Sequence, residues 1–250
     1  MTFFSRSHPA GDVAESGGVT LISSGRNYPL FNVALLNSMV DAGDGDLAGR
    51  ISRAQDYFGQ RNHGWSFWVC QDLLVRHIQK KSKALFMGRG MWRALEPPGM
   101  VLRRLHPVAR PLPALVFRRV EDAATRIAFS HITSVVFELP LSVTRGIYDH
   151  PDAWQPDYMG YVGFLADRAV TSVMVVPAEG SAGIYSLATM PDLQHRGYGE
   201  ATMRFALAQA RSQTGLELSV LQSSYVGLNL YRRLGYEQVT RFIVYRSQTR

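Results

Sequence analysis

Cysteine is almost absent from this sequence, since Cys70 is the single one in 250 residues. One thiol cannot form an internal disulfide, which excludes the disulfide-stapled frameworks of small secreted proteins. No stretch approaches the ~20 consecutive apolar residues of a membrane-spanning helix. The first residues also lack the basic and then apolar pattern of a secretion signal. We therefore expect a soluble, cytoplasmic protein with no membrane partner.

Metal-ligand and nucleotide-binding patterns are missing as well. The histidines are scattered, and none stands at metal-ligand spacing from a cysteine or a carboxylate. We therefore expect no metal. No Gly-Lys-Ser/Thr follows a glycine-rich turn, which excludes the Walker phosphate loop.

The positive charge is unevenly distributed. Of a formal net charge of +7, residues 76–110 carry nine Lys/Arg and one acid, Glu96. Basic stretches can bind nucleic acid, but aromatic residues are not regularly interleaved here and no nucleic-acid module is recognisable. We favour a solvated basic face and keep a nucleic-acid partner as the less favoured alternative.

The composition supports folded domains and indicates where they divide. Apolar residues make up 46% of the chain and charged residues 19%, which suits a buried core rather than disorder. Five prolines fall between positions 97 and 113, and such density favours an extended linker. We expect a loose start over 1–18, a first domain over 19–110 and a second over 113–250, with the boundary near 105–113.

Periodicity predicts alternating strands and helices in both parts. In the first part, strands are predicted at 19–23 and 65–70 and helices at 47–60 and 72–83, while 30–40 fits either. The second part is predicted to have strands at 114–120, 158–166, 169–176, 182–190, 216–221 and 236–245, with helices at 121–138, 142–150, 198–214 and from Ser223 or Ser224 to Leu234. The early hairpins predict an α/β fold with a mixed, largely antiparallel central sheet flanked by helices.

A glycine turn joins the strand at 182–190 to the following helix. It reads Gln194-His195-Arg196-Gly197-Tyr198-Gly199. Unpaired N–H groups and the dipole at a helix start favour an anion, and glycines let a phosphate approach the backbone. The same spacing also occurs in plain tight connections, and the third glycine and distal acid of the dinucleotide fingerprint are missing.

This turn resembles the coenzyme A loop of the GCN5-related N-acetyltransferase (GNAT) family, which reads Arg/Gln-x-x-Gly-x-Gly/Ala. Downstream, Leu230-Tyr231-Arg232-Arg233-Leu234-Gly235-Tyr236 is similar to the family's tyrosine-bearing helix followed by Leu-Gly-Phe/Tyr. The resemblance covers residues 113–250. It implies the GNAT acyl-CoA N-acyltransferase fold, with acetyl-CoA as cosubstrate and an amine of a small molecule or peptide as acceptor.

The resemblance also implies roles for particular residues. Tyr231 would be the general acid that protonates the leaving thiolate, since a phenol near pKa ~10 stays protonated at neutral pH. Ser224 stands where relatives often have an asparagine that bonds the pantetheine arm. The remaining cofactor-binding residues would be those of the strand end and the loop: Leu187, Ala188, Thr189, Gln194, His195, Arg196, Gly197, Tyr198, Gly199 and Glu200.

The general base stays open. Many relatives carry a glutamate on or near the strand before the loop, whereas Ile184-Tyr185-Ser186-Leu187 contains none. Glu138, a water aligned by Tyr185, and an unassisted amine are the alternatives.

The first part resembles the amino-terminal portion of some two-part bacterial acetyltransferases, which carry a tryptophan-rich strand such as 64–69. We expect a smaller α/β domain that is a degenerate GNAT-like copy, because no second Gln-x-x-Gly-x-Gly occurs in it. Two rival functions remain: a non-catalytic acyl-CoA sensor or scaffold, and a nucleic-acid binder using 76–110. A homodimer is left open.

Overall fold

The structure is a computed structural model that describes residues 2–41 and 44–247, without the side chains of residues 44 and 45. Its contacts divide the chain into two units, Met1–Pro98 with Thr240–Arg250 and Gly99–Val239. Among the described residues no helix is long and apolar enough to cross a membrane.

The strands and α-helices, numbered along the chain, are β1 Asp12–Ser16, β2 Val19–Ser23, β3 Val33–Leu36, α1 Asp44–Gly59, β4 Ser66–Cys70, α2 Arg76–Met87, β5 Met91–Leu95, β6 Pro98–Leu102, β7 Val116–Arg119, α3 Ala123–Val136, α4 Leu141–Tyr148, β8 Met159–Leu165, β9 Arg168–Ala178, β10 Ser181–Thr189, α5 Tyr198–Thr214, β11 Ser219–Gln222, α6 Leu228–Leu234 and β12 Glu237–Ser247.

The first unit is a sheet covered by two helices. Strands β1, β2 and β3 pair antiparallel in turn, and β3 runs parallel to β4. The far part of β12 completes the sheet, pairing antiparallel with β4 and with β5. Residues Leu47, Ile51, Ala54 and Phe58 of α1 recur at helical spacing and are all fully buried. The predicted amphipathic helix is therefore present, and its apolar face forms the core.

The second unit is a mixed, largely antiparallel sheet. Strands β7, β8, β9 and β10 pair antiparallel, β10 runs parallel to β11, and β11 is antiparallel to β6. Helix α3 starts in a capping box between Asp122 and Thr125, which satisfies donors at its first turn. Helix α5 buries Met203, Ala206 and Ala210 in the core. The predicted fold class is confirmed.

The two units repeat one order of elements. The series β1-β2-β3-α1-β4-α2 of the first unit matches β8-β9-β10-α5-β11-α6 of the second in order and in strand direction. The fourth strand of each series has a further antiparallel neighbour, β12 in the first unit and β6 in the second. Because the two units share one topology, we propose that the first unit is a degenerate copy of the GNAT-like fold of the second.

The structure differs from the sequence expectations at three places. The start, expected to be loose, contains a 3-10 helix at Thr2–Ser7 with Phe3 1% exposed, followed by β1. The proline-rich stretch, expected to be a linker, contains β6, which begins at Pro98. A proline at the first residue of a strand removes no interior ladder bond. The contact division falls after Pro98 and Val239, so the end of the chain belongs to the first unit.

Candidate active site

Strand β10 carries a bulge where the candidate site begins. Its register with β9 shifts between Tyr185 and Ala188, and Ser186 lies at φ 51°, a left-handed conformation that costs a non-glycine residue energy. The parallel register with β11 covers only Ala182 and Gly183 among the described residues. Beyond that point one edge of β10 has no partner strand in the part of the chain that the structure describes, so backbone groups on this edge can pair with a ligand that lies along the strand.

Buried polar contacts hold the bulge in place. The Ser172 hydroxyl donates to the Ser186 carbonyl at 3.0 Å, and the Tyr148 hydroxyl lies 3.1 Å from Ser186 Oγ. Ser172 is fully buried and Tyr148 nearly so. Burial raises the pKa of Tyr148 to about 12, against a smaller opposing effect of the bond to Ser186. Sequence reasoning missed this cluster, because the bulge that brings Ser186 to Tyr148 has no signature in composition or spacing.

The glycine loop lies between β10 and α5, as the sequence predicts. After Leu187, Ala188 and Thr189, a short 3-10 helix Pro191–Leu193 leads to Gln194, whose amide donates to the Thr189 carbonyl at 3.1 Å. The chain then turns through two left-handed residues, His195 at φ 62° and Gly197 at φ 90°.

Helix α5 starts directly after this turn, and no side chain of the described residues caps its first turn. Its first N–H groups, those of Tyr198, Gly199 and Glu200, have no intrahelical acceptor and carry the positive end of the helix dipole. The side chains of His195 and Arg196 are exposed beside them. This arrangement can bind an anion such as a pyrophosphate.

Two ion pairs neutralise the acids close to the loop. Arg168 binds Asp192 through both terminal nitrogens, at 2.7 and 2.8 Å, and this guanidinium lowers the pKa of Asp192. Glu200, 8% exposed, accepts from Arg204 at 2.9 Å. The Glu200 side chain is thus occupied by this buried ion pair, so only the Glu200 backbone N–H is available for the expected cofactor role.

Tyr231 projects into the core of the second unit. It is 8% exposed, and burial raises its pKa to about 12. Its ring lies edge-on to that of Tyr236, with centroids 5.6 Å apart. Gly227 lies one turn earlier, where a Cβ would come within 2.8 Å of the Tyr231 ring. A glycine is therefore needed at 227 for the observed position of this phenol.

The candidate pantetheine contact, Ser224, has a local role in the structure. Its Oγ accepts from the Gly227 N–H at 3.1 Å and so caps the turn that leads into α6. The hydroxyl is exposed and retains a proton to donate. Ser224 can therefore donate a hydrogen bond to a ligand while its oxygen accepts from the Gly227 N–H.

The two side chains considered for the general base lie in different environments. Glu138 is exposed in the turn between α3 and α4, at φ 53°. Tyr185 precedes the bulge residue Ser186, and burial raises its pKa, which keeps it protonated and unsuited to accept a proton directly. No cluster of three or more His, Cys, Asp or Glu side chains in the described part of the chain could hold a metal ion.

In the first unit, a buried arginine lies close to the described part of the corresponding strand-to-helix connection. Arg50 of α1, 6% exposed, donates to the carbonyls of Ser38 and Met39 at 2.8 Å each and pairs with Asp46 at 2.8 Å. A guanidinium and a carboxylate thus lie together near the start of α1. That the first unit binds no coenzyme A through such a loop stays a prediction from the sequence.

Residues 157–238 match a protein-family description, the acetyltransferase (GNAT) domain. The matched range contains both motifs on which the sequence resemblance depended, so the predicted relation to the GNAT family is confirmed. Among curated proteins, no sequence matches this chain significantly.

Solved structures match over nearly the whole chain. A GCN5-related N-acetyltransferase from Kribbella flavida has TM-score 0.72 and 16% identity, covering 95% of this chain and 89% of its own. A functionally unknown conserved protein from Staphylococcus epidermidis has TM-score 0.67 and 12% identity, covering 95% and 94%. A tandem GNAT protein from the clavulanic acid biosynthesis pathway has TM-score 0.58 and 14% identity, covering 97% and 84%. At these identities the structures establish a two-part GNAT fold and not a reaction.

Proposed function

We propose that this chain, which carries a GNAT-family domain at residues 157–238, transfers an acetyl group from acetyl-CoA to a primary amine of a small molecule or peptide. The observation that carries the proposal is the open edge of β10, which is followed after a short 3-10 helix and the glycine loop by the start of α5. One surface thereby offers backbone partners for an extended arm and an anion site for a pyrophosphate.

The reaction would proceed by direct attack on the thioester. The amine nitrogen bonds to the carbonyl carbon, and the oxyanion of the tetrahedral intermediate is stabilised by a backbone N–H of the segment Leu187–Thr189. The C–S bond then breaks, the thiolate takes the proton of Tyr231, and the resulting phenolate takes a proton back from solvent. The amine proton passes to solvent or to a general base such as Glu138. A buried phenol with pKa about 12 stays protonated throughout the neutral range and can supply that proton.

Acetyl-CoA binding tests the cofactor part of the proposal. In a thermal-shift titration, a ligand at 100 times its dissociation constant stabilises a folded protein by ~2.7 kcal/mol. Gly199→Glu adds bulk and negative charge at a position where a Cβ already lies 3.3 Å from Thr189 Oγ1, and should abolish the shift. Gly59→Glu is the matched control, since a Cβ there meets nothing within 4 Å. Wild-type protein without a shift would contradict the proposal.

A second candidate is an acyl-CoA sensor that binds without turnover. Two observations favour it: β10 has no carboxylate before the loop, and the Ser224 hydroxyl is already used by the Gly227 N–H. Release of free thiol from acetyl-CoA over a broad panel of amines separates the candidates. Binding without thiol release would support the sensor, whereas turnover with any amine would exclude it.

A further inference from the structure

Residues 103–113, here called the strap, join β6 to β7 without regular secondary structure. The strap is held against two helices of the second unit. The His106 N–H donates to the Leu234 carbonyl at 2.9 Å, and Arg204 donates to the His106 carbonyl at 2.8 Å. These bonds fix the middle of the strap between the start of α5 and the end of α6.

The end of the strap lies against the glycine loop. A Cβ placed on Gly197 would lie 3.1 Å from Pro113 Cδ and 3.8 Å from Arg110 Nη2. Arg110 is therefore close to the loop in space, although 87 residues separate it from Gly197 in the sequence. The basic stretch singled out in the sequence thus places one arginine beside the candidate phosphate site.

The Arg110 guanidinium is available to a ligand. Arg110 is exposed and, among the described residues, shows no hydrogen bond or ion pair. Two other arginines of this region, by contrast, have acidic partners: Arg204 is bound to Glu200, and Arg103 lies 3.8 Å from Glu237. An arginine presents a planar fork of donors that matches phosphate oxygens, and it keeps its charge at every physiological pH.

We propose that Arg110 binds a phosphate group of the nucleotide part of acyl-CoA, and so completes from outside the loop the anion site formed by the start of α5. This inference rests on the proposed function. The phosphate is either one of the pyrophosphate or the 3′-phosphate of the ribose. The 3′-phosphate is a monoester that is close to dianionic, each phosphate of the pyrophosphate carries one negative charge, and all of them lie on the part of the ligand that acetyl-pantetheine lacks.

Isothermal titration with three ligands tests the proposal: acetyl-CoA, 3′-dephospho-acetyl-CoA and acetyl-pantetheine. For Arg110→Ala we expect a dissociation constant for acetyl-CoA raised about tenfold, the effect of one charge-assisted bond. Acetyl-pantetheine should bind equally well to variant and wild type. A loss that disappears with the dephospho ligand assigns Arg110 to the 3′-phosphate, and a loss that persists assigns it to the pyrophosphate.

Matched variants keep the test decisive. Arg103→Ala removes the same charge from the same strap, but that guanidinium faces Glu237, so the affinity for acetyl-CoA should stay unchanged. Arg110→Gln covers the case in which the alanine variant folds poorly. Equal binding of acetyl-CoA by Arg110→Ala and wild type would overturn this proposal and leave the proposed function intact. Wild-type protein that fails to bind acetyl-CoA would overturn both.

Discussion

The Tyr148 hydroxyl lies 3.1 Å from Ser186 Oγ, at the one residue of β10 whose backbone takes a positive φ in the described structure. The contact joins the last residue of α4 to the bulge that frees the edge of β10. A conformation of this kind persists only when its surroundings hold it. We therefore regard Tyr148 as a positioning residue for the strand that would bind the pantetheine arm.

Tyr148→Phe should lower the free energy of unfolding by about 1 kcal/mol, the net worth of one buried hydrogen bond. It should also weaken acetyl-CoA binding, because the bulge loses one of its two polar contacts. Thermal melts and isothermal titration measure the two effects separately.

Tyr161→Phe provides the control. Tyr161 is also buried in the sheet, and its hydroxyl accepts from Gln213 at 3.0 Å, away from β10. Its loss should reduce stability by a similar amount without changing the affinity for acetyl-CoA. If both variants bind acetyl-CoA as the wild type does, Tyr148 has no positioning role.

Tyr231→Phe should reduce kcat by about 100-fold or more, the usual contribution of a general acid, with little change in acetyl-CoA affinity. Tyr236→Phe is the matched control, since that buried hydroxyl bonds to Ser219 at 2.6 Å and has no role in the proposed chemistry. Steady-state kinetics on both variants decide the assignment. Unchanged kcat in Tyr231→Phe would remove the acid role.

The pKa of Tyr231 also predicts an effect of pH on stability. Burial raises the pKa of this phenol from 10.0 to about 12, so folding favours the protonated form. The resulting stabilisation is complete below pH 10 and is lost as the pH rises through 12. Melts from pH 8 upward should show a decline beginning near pH 10 that is shallower in Tyr231→Phe.

The elements that the sequence predicted well are those whose residues pack locally. Helix α1 and strand β2 could be located because their apolar residues recur with a helical or strand period. The glycine loop could be located because a strand, two glycines and a helix follow one another within a short segment. In each case the information lies within about fifteen residues of sequence.

Pairings between distant residues could not be predicted in this way. Strand β12 pairs with β4 across more than 170 residues, and nothing in its own composition specifies that partner. Strand β6 starts at Pro98 inside a stretch whose prolines favour a linker. The contacts of Arg168 with Asp192, and of Tyr148 with Ser186, likewise depend on which loops and strands the fold brings together.

Gly227→Ala should reduce kcat by about tenfold, because a Cβ there would lie 2.8 Å from Cε2 of Tyr231 and displacement of a catalytic group by a fraction of an ångström is costly. Acetyl-CoA affinity should change little. Gly49→Ala is the control: Gly49 lies within helix α1, and its Cβ would meet only Arg53 at 3.6 Å. That variant should keep full activity and gain about 0.4–1 kcal/mol of stability. Equal kcat in both variants would show that the Tyr231 ring tolerates displacement.

Arg204→Ala tests how much burial increases the contribution of an ion pair to the free energy of unfolding. The Arg204 and Glu200 side chains are only 13% and 9% exposed, and their nitrogen and oxygen lie 2.9 Å apart. Removing the arginine leaves a buried carboxylate without its partner, and we expect a loss of about 3 kcal/mol in the free energy of unfolding. The same change frees the His106 carbonyl and so loosens the strap.

The pair Arg211 and Glu217 supplies the comparison, since its atoms are 2.8 Å apart but its side chains are 71% and 66% exposed. Arg211→Ala should cost less than about 1 kcal/mol, because solvent screens an exposed pair. Chemical denaturation of both variants, and of the double variant Glu200→Gln with Arg204→Ala, measures the difference. Since Glu200→Gln replaces the stranded charge with a neutral amide, the double variant should recover part of the loss. A double variant no more stable than Arg204→Ala alone would mean that the loss comes from the freed strap and not from the buried charge.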